Sequence, residues 1–330
     1  MNKYFAGIGG MESRRNGMKL VIALGGNALQ SGGGPATAEA QLEVVHKTCG
    51  YLADIISKGH EVLIVHGNGP QVGRIHLASE TANHVTPAMP FDVCGAMSQG
   101  YIGYHIQQAM RKALQERGNN QPVATIVTQM VVDKNDPGFK NPTKPIGVFY
   151  TKEEAEALTK EKGYVVKEDS GRGWRRVVAS PLPLRINELE TVKTLFNAGT
   201  VVITCGGGGI PVVEDENGLK GVAAVIDKDF AAERLAEDID ADMLVILTEV
   251  EKVAINFGKP NQENLDVLTV EDAEKYVSEG HFAPGSMLPK VQAAMKFVKA
   301  HPNKKAIITA LDSVMPALEG KTGTSLVCGT

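Results

Sequence analysis

No two cysteines in this chain stand in a C-x-x-C pair. Cys49, Cys94, Cys205 and Cys328 lie far apart, so neither a zinc site nor a disulfide framework is indicated, and they read as small buried thiols in a reducing compartment. No apolar run approaches the length of a membrane span, and the leading MNKYFAGIGGMESRRNG lacks the apolar centre of a signal peptide. The expected address is the cytoplasm. A basic excess is missing too: a formal net charge of -4 argues against a nucleic-acid binder, which must meet phosphates with cations. Trp174 is the single tryptophan, and scarce aromatics offer bases no stacking platform.

What is present is ordinary in bulk and unusual in detail. Hydrophobic residues make up 43% and charged residues 22% of 330, enough for one large α/β domain or two smaller ones. Short apolar runs at 19–24, 61–66, 123–129, 200–204, 243–248 and 305–309 read as strands. Amphipathic stretches at 38–57, 91–117, 185–197, 228–237 and 290–299 read as helices between them. Continuous Val, Ile and Leu suits strands covered on both faces, and the alternation predicts an α/β fold around a mostly parallel sheet. Residues 131–182 break the rhythm, being rich in Pro, Gly and charge, and are expected to form a protruding lid subdomain with a small helix at 152–160 and β-like pieces. Residues 1–17 are expected to be an extension or tag outside the fold and disordered, because Met18 stands directly at the first strand.

In an open parallel sheet, ligands bind beyond the carboxyl ends of the strands. Three strand ends here are glycine-rich: Gly25, Gly26 and Asn27 after LVIAL; Gly67, Asn68 and Gly69 after EVLIVH; and Gly206 to Gly209 after VVITC. A fourth strand ends at Thr248 and Glu249. The first turn matches neither usual phosphate signature. It is not closed by Lys-Ser or Lys-Thr as a P-loop is, and no third glycine completes a dinucleotide fingerprint. Singly, each turn is more often a tight connection than a site. Together, their exposed N–H groups and helix N-termini make an anion trap.

Three lysines add positive charge. Lys228 follows Asp227 in the first turn of a helix, where a cation is unfavourable unless an anion faces it; the flanking Asp227 and Asp229 read as ordinary helix-start acids. Lys290 follows Pro289 at another helix start, and is equally readable as a solvated surface lysine. Lys144 is fixed between Pro142 and Pro145. Three lysines beside three glycine turns suggest phosphoryl transfer, in which positioning and charge neutralisation do most of the catalysis.

The stretches LVIALGGNAL, HGNGPQVG, FDVCGAMSQGYIGY, FKNPTKPIG, DSGRGWRRVVASPLP, CGGGGIPVV, GVAAVIDKDFAAERLA, DADMLVILTEV and GHFAPGSMLPKVQAA together resemble the carbamate kinases of the amino acid kinase superfamily. The likeness runs from about Met18 to the C-terminus. It implies a three-layer αβα sandwich, a homodimer, and reversible phosphoryl transfer between ATP and carbamate with Mg²⁺, usually towards ATP in arginine breakdown through the deiminase route. Residues 18–200, with the lid, would form the acyl-substrate lobe and residues 201–330 the nucleotide lobe. On this resemblance Gly25, Gly26 and Asn27 would meet the transferring phosphoryl group, and Gly67, Asn68 and Gly69 the planar carbamate. Lys144 would reach from the lid to the transferred group, Lys228 would neutralise its charge, and Asp229 would hold the donors in place. Lys290 would sit on the nucleotide phosphates, with Gly207 and Gly208 also on the nucleotide side. Thr248, Glu249, Val250, Phe257, Met287 and Pro289 would line the adenosine pocket. Two positions depart from the pattern: Phe257, where members often carry Tyr, and Glu249, where a small or acidic residue is frequent.

The chemistry agrees with the residues. Carbamate is already an anion and needs no general base, so the eight histidines read as structural or surface groups, with His66 beside a glycine turn the one to watch. No carboxylate pair is set for metal, and Mg²⁺ is expected on nucleotide phosphates and water. The rivals are another amino acid kinase, such as acetylglutamate kinase, and a nucleotide-binding sensor without turnover. A nicotinamide dehydrogenase would need a Gly-x-Gly-x-x-Gly after a strand, which is absent.

Overall fold

The first apolar run, Lys19–Leu24, forms β1, buried along almost its whole length. The computed structural model describes residues 17–31, 34–169, 171 and 173–329; the expected extension at 1–17 lies outside them except for Gly17. After β1, α1 (Ala38–Ser57) starts at a Thr37 cap and leads to β2 (Glu61–His66), α2 (Gly69–Thr81) and α3 (Phe91–Glu116). Then come β3 (Val123–Thr125), β4 (Gln129–Val132), β5 (Lys144–Tyr150), α4 (Lys152–Lys162), β6 (Val166–Glu168) and β7 (Trp174–Val178). The chain continues through β8 (Pro183–Ile186), α5 (Leu189–Asn197), β9 (Val201–Ile203), β10 (Ile210–Asp215), β11 (Gly218–Gly221) and α6 (Lys228–Asp238). Next are β12 (Met243–Thr248), the short β13 (Ala254–Ile255) and β14 (Glu263–Asn264), β15 (Val267–Thr269) and α7 (Val270–Ser278). The chain closes with α8 (Met287–Ala300), β16 (Lys305–Ala310), α9 (Val314–Leu318) and β17 (Thr324–Val327).

Eight strands form the main sheet in the order β15-β17-β16-β12-β1-β2-β9-β3. All neighbours pair in parallel except β16 with β17. Side chains alternate across a strand, so Val21, Ala23, Leu63 and Val65 point to one face and Leu20, Ile22, Leu24 and Ile64 to the other. The first face packs on α6 and α8 through Ala231, Leu235 and Phe297; the second packs on α1 and α3 through Leu52, Ile55, Ile106 and Met110. With helices on both sides, the central strands β1, β2 and β12 have no face left for water, which is why these runs read as unbroken apolar sequence. The fold is a three-layer αβα sandwich. One sheet runs through both halves of the chain, since β1 pairs with β12 and β9 lies between β2 and β3.

Three smaller sheets accompany it: β11-β10-β4-β8, the three-stranded β5-β7-β6 with α4 packed on it, and the two-stranded β13-β14. The second lies within the segment 131–182; Val131 and Val132, at the start of that segment, belong instead to β4.

Three sequence expectations are corrected. The strand expected at 123–129 breaks, because the Gln99 side chain takes both backbone groups of Thr128, accepting from its N–H at 2.8 Å and donating to its carbonyl at 3.0 Å. With its N–H spent on a side chain and its carbonyl also accepting from the Ile210 N–H at 2.8 Å, Thr128 turns the chain out of the main sheet and into its pairing with β10 as β4. The helix expected at 185–197 begins only at Leu189. Residues 183–186 pair antiparallel with β4, and the Glu188 carboxylate accepts from the Gln129 N–H at 2.7 Å, which pins the turn between them. The helix expected from Lys290 begins earlier, at Met287, placing Pro289 inside its first turn, where a missing N–H costs nothing.

Candidate active site

The carboxyl ends of β1, β2 and β12 and the N-terminus of α6 converge. β1 and β12 are neighbours in register, Ala23 opposite Ile246, and a Cβ on Gly25 would lie 3.0 Å from the Leu247 carbonyl oxygen. Gly26 and Asn27 follow in a single exposed 3₁₀ turn, with open space around the Gly26 Cα. On the other side, a Cβ on Gly67 would lie 3.3 Å from the Lys228 Cδ, so a glycine here lets the lysine stem lie across the end of β2. Gly69 begins α2, and its missing Cβ would face the Pro145 carbonyl oxygen at 3.3 Å.

The lysines meet on two carboxylates. Asp227 caps α6, its Oδ1 accepting from the Asp229 N–H at 2.9 Å, while its Oδ2 accepts from the Lys144 ammonium at 2.5 Å. Asp229 is 1% exposed and accepts from Lys228 at 2.7 Å on one oxygen and from Lys290 at 3.0 Å on the other. Three ammonium groups on two carboxylates leave one positive charge at the helix N-terminus, where the macrodipole is also positive. That is an anion site. Burial alone would raise the Asp227 carboxyl, but Lys144 and Lys228 outweigh it and hold it well below the usual carboxylate range. Burial pushes the Lys228 ammonium down to about 8 against the pull of Asp229, while for Lys290 the pull of Asp229 and Asp227 exceeds the cost of burial and raises it.

The anion that Lys228 requires in the first turn is thus present in the protein itself, as Asp229. Lys290 is half-buried and paired with Asp229, not a solvated surface lysine. Asp227 does more than cap a helix: it anchors Lys144, a role that a helix-start aspartate does not announce in the sequence.

Asn68 is buried, and its Nδ2 donates to the Ser98 hydroxyl at 2.8 Å while its Oδ1 has no partner in the protein. A Cβ on Gly207 would lie 2.2 Å from that Asn68 amide, and one on Gly208 would lie 2.3 Å from the Ile226 carbonyl oxygen. Both glycines are buried with positive φ, and the structure brings them to the back of the Asn68 turn. His66 is fully buried; its Nδ1 donates to the Gly67 carbonyl at 2.9 Å, and burial holds its pKa down at about 4. It is a neutral brace for the turn.

The remaining expected residues lie at the end of β12 and the start of α8. Thr248 closes β12 opposite Ala310, Glu249 is exposed and Val250 half-buried. Phe257 leaves its ring 64% exposed. Its neighbour Asn256 donates its N–H to the His281 Nδ1 at 3.3 Å, which ties this loop to the segment leading to Met287, Pro289 and Lys290. Among the described residues, no three His, Cys, Asp or Glu side chains gather as a metal-ligand set, and no helix is long and apolar enough to cross a membrane.

Residues 18–309 match the model of the amino acid kinase family. The chain is 59% identical over 313 residues to a carbamate kinase of Clostridium perfringens, covering 94% of this chain and 100% of that one. It is 58% identical to the carbamate kinase-like protein YqeA of Escherichia coli, over 94% of this chain and 99% of that one. Among solved structures, carbamate kinase from Giardia lamblia bound to citric acid superposes with a TM-score of 0.90 at 42% identity, covering 95% of this chain and 99% of the other. The same enzyme bound to AMP-PNP superposes at 0.86 and 43%, with the same coverage. Such identity over nearly the full length, on a site of lysines and glycine turns, makes this a phosphotransferase: the chain belongs to the amino acid kinase family, on its carbamate kinase branch.

Proposed function

We propose that the enzyme transfers a phosphoryl group reversibly between ATP and carbamate, with carbamoyl phosphate as the other product. The observation that carries this reading is the convergence of Lys144, Lys228 and Lys290 on Asp227 and Asp229, beside the glycine turns that end β1 and β2. Such a site positions and neutralises a phosphoryl group and supplies no acid or base. A carbamate oxygen attacks the γ-phosphorus as the bond to the ADP leaving oxygen breaks, and no proton has to move. Gly25, Gly26 and Asn27 meet the group in transfer, Lys228 and Lys144 neutralise its oxygens, and Asp229 fixes Lys228 and Lys290. Lys290 serves the nucleotide phosphates. Thr248, Glu249, Val250, Phe257, Met287 and Pro289 serve the adenosine.

The unpartnered Asn68 Oδ1 favours carbamate over a plain carboxylate. A buried acceptor without a donor is costly, and carbamate brings N–H donors that acetylglutamate lacks at its reacting carboxylate. Both aspartates nearest the site are engaged by lysines, so Mg²⁺ enters with the nucleotide, its shell made by phosphate oxygens and water. The family resemblance further supports a homodimer in the cytoplasm, making ATP in arginine breakdown through the deiminase route.

The test is direct. Mixed with ADP, Mg²⁺ and carbamoyl phosphate, the protein should form ATP, and with acetylglutamyl phosphate it should form none. Equal rates with both acyl phosphates would refute the carbamate reading.

A further inference from the structure

One face of α2 begins in the site at Gly69 and runs away from it along the helix. Gly69, Gly73, His76 and Glu80 are spaced four, three and four residues apart, which sets them in one row along the helix. The row runs beneath the three-stranded sheet. Gly69 faces the Pro145 carbonyl, and a Cβ on Gly73 would lie 2.2 Å from the Gly147 Cα, so helix and strand touch backbone to backbone. Beyond the glycines the row turns polar. The Glu80 Oε2 accepts from the Tyr164 hydroxyl and, at 3.2 Å, from the Lys162 ammonium. The Arg176 guanidinium lies 3.7 Å from the Tyr164 ring centroid and donates to the His76 Nδ1 at 3.2 Å. Arg176 sits on β7 opposite Ile146 of β5, two residues beyond Lys144.

We propose that Glu80, His76, Tyr164 and Arg176 form a latch of positioning residues that holds the three-stranded sheet down on α2 and thereby sets Lys144 over the N-terminus of α6. The proposal rests on the phosphotransferase reading, in which Lys144 meets the transferred group. The same geometry makes the latch sensitive to protons. Arginine only donates, so the His76 Nδ1 must accept, and the ring is neutral with its hydrogen on Nε2. A proton on Nδ1 removes that acceptor and sets imidazolium against Arg176. It also offers a new donor to the Glu80 Oε2, 3.7 Å away on the same helix. The groups facing His76 are Glu80 from α2, Arg176 from β7, Lys162 from α4 and the edge of Phe91 from α3, at 5.2 Å between ring centroids. Burial first, and Arg176 next, hold the His76 pKa below its ordinary value, so the latch is closed at neutral pH and loosens as pH falls through that lowered value.

The experiment measures ATP formation from carbamoyl phosphate and ADP for Glu80→Gln and Tyr164→Phe, each alone and in a Lys144→Ala background. Each single variant should lower kcat about 10-fold to 10²-fold, the range expected of a misplaced catalytic group, with the KM for ADP unchanged. On the residual rate of Lys144→Ala neither should act further, because the residue they work through is gone. Amide hydrogen exchange should speed up in β5 but not in β1 for both single variants. His76→Gln, which keeps an acceptor for Arg176, should flatten the acid limb of kcat. Equal losses in both backgrounds, or wild-type kcat together with wild-type exchange in β5, would overturn the latch. Should the unmodified enzyme make no ATP, the functional reading fails, and exchange in β5 alone decides whether the latch holds.

Discussion

A lysine in the first turn of a helix opposes the dipole, and Lys228 answers this with Asp229 at 2.7 Å. Because Asp229 keeps Lys290 as a second partner, Lys228→Ala should still fold. Its kcat should fall by about 10²–10³, the usual cost of one preorganised stabiliser, with little change in nucleotide affinity. Lys228→Arg should rescue poorly, since the stem lies against Gly67 and a planar fork needs more room. A fully active alanine variant would end the assignment. In the free enzyme, kcat/KM should also drop as pH rises through about 8, where Lys228 loses its proton. His66 makes a prediction of the opposite sense in pH. Its folded pKa of about 4 lies below the ordinary 6.5, so between these values the unfolded chain binds a proton that the folded one refuses. Stability is therefore complete above pH 6.5 and is lost as pH falls towards 4, by about 3 kcal/mol at most from this residue. Urea melts at pH 7 and pH 4.5 on the wild type and on His66→Gln would show it, as a smaller pH loss in the variant. At this scale the sequence revealed types and spacing but not pairing. Lys144 and Asp227 are 83 residues apart, and nothing local says that they touch.

Elements were most legible where both ends carried local signals. The helix expected at 38–57 forms over those residues behind a Thr37 cap, and the strands at 19–24, 61–66 and 243–248 form as read. Two of the misreadings share an origin: a side chain distant in sequence replaces a backbone partner. Gln99 ends the strand run at Thr128, and Glu188 delays α5 by binding Gln129. Neither glutamine nor glutamate announces such a role. The contact of α2 with β5 was equally hidden, because a glycine within a helical stretch reads first as a weak helix former. Gly73→Ala tests which reading governs. Alanine would gain about 1 kcal/mol of helix propensity in an exposed helix. Here its methyl would stand 2.2 Å from the Gly147 Cα, and no flexible side chain can give way. The expected outcome is a kcat at least about tenfold lower, as for a displaced catalytic group, with helical content by circular dichroism unchanged. An alanine variant as active as wild type would mean that the helix and strand separate freely.

Across the whole molecule, an apolar row on the outside of α3 remains uncovered within one chain. Val93, Met97 and Tyr104 are 38%, 49% and 61% exposed and share one helix face, with Val127 also exposed beyond the end of β3. If this face carries the proposed homodimer, Met97→Glu should halve the mass in sedimentation equilibrium and leave the fold intact; a wild-type monomer would refute it. The sandwich itself was legible because alternating apolar runs and helices admit few other layer arrangements. The small sheets were less so: β-like pieces could be read within 131–182, but the strand pairing, between short and mostly half-exposed segments, could not. One of them has a consequence for spectroscopy. The single indole of the chain, Trp174, sits on β7, paired with Tyr150 and Glu168 and half-buried against α4. All tryptophan emission therefore arises from the three-stranded unit and none from the eight-stranded core. A fluorescence-detected melt will report when that unit comes apart, and any gap between its midpoint and that of far-ultraviolet dichroism is the margin by which the small sheet fails before the sandwich.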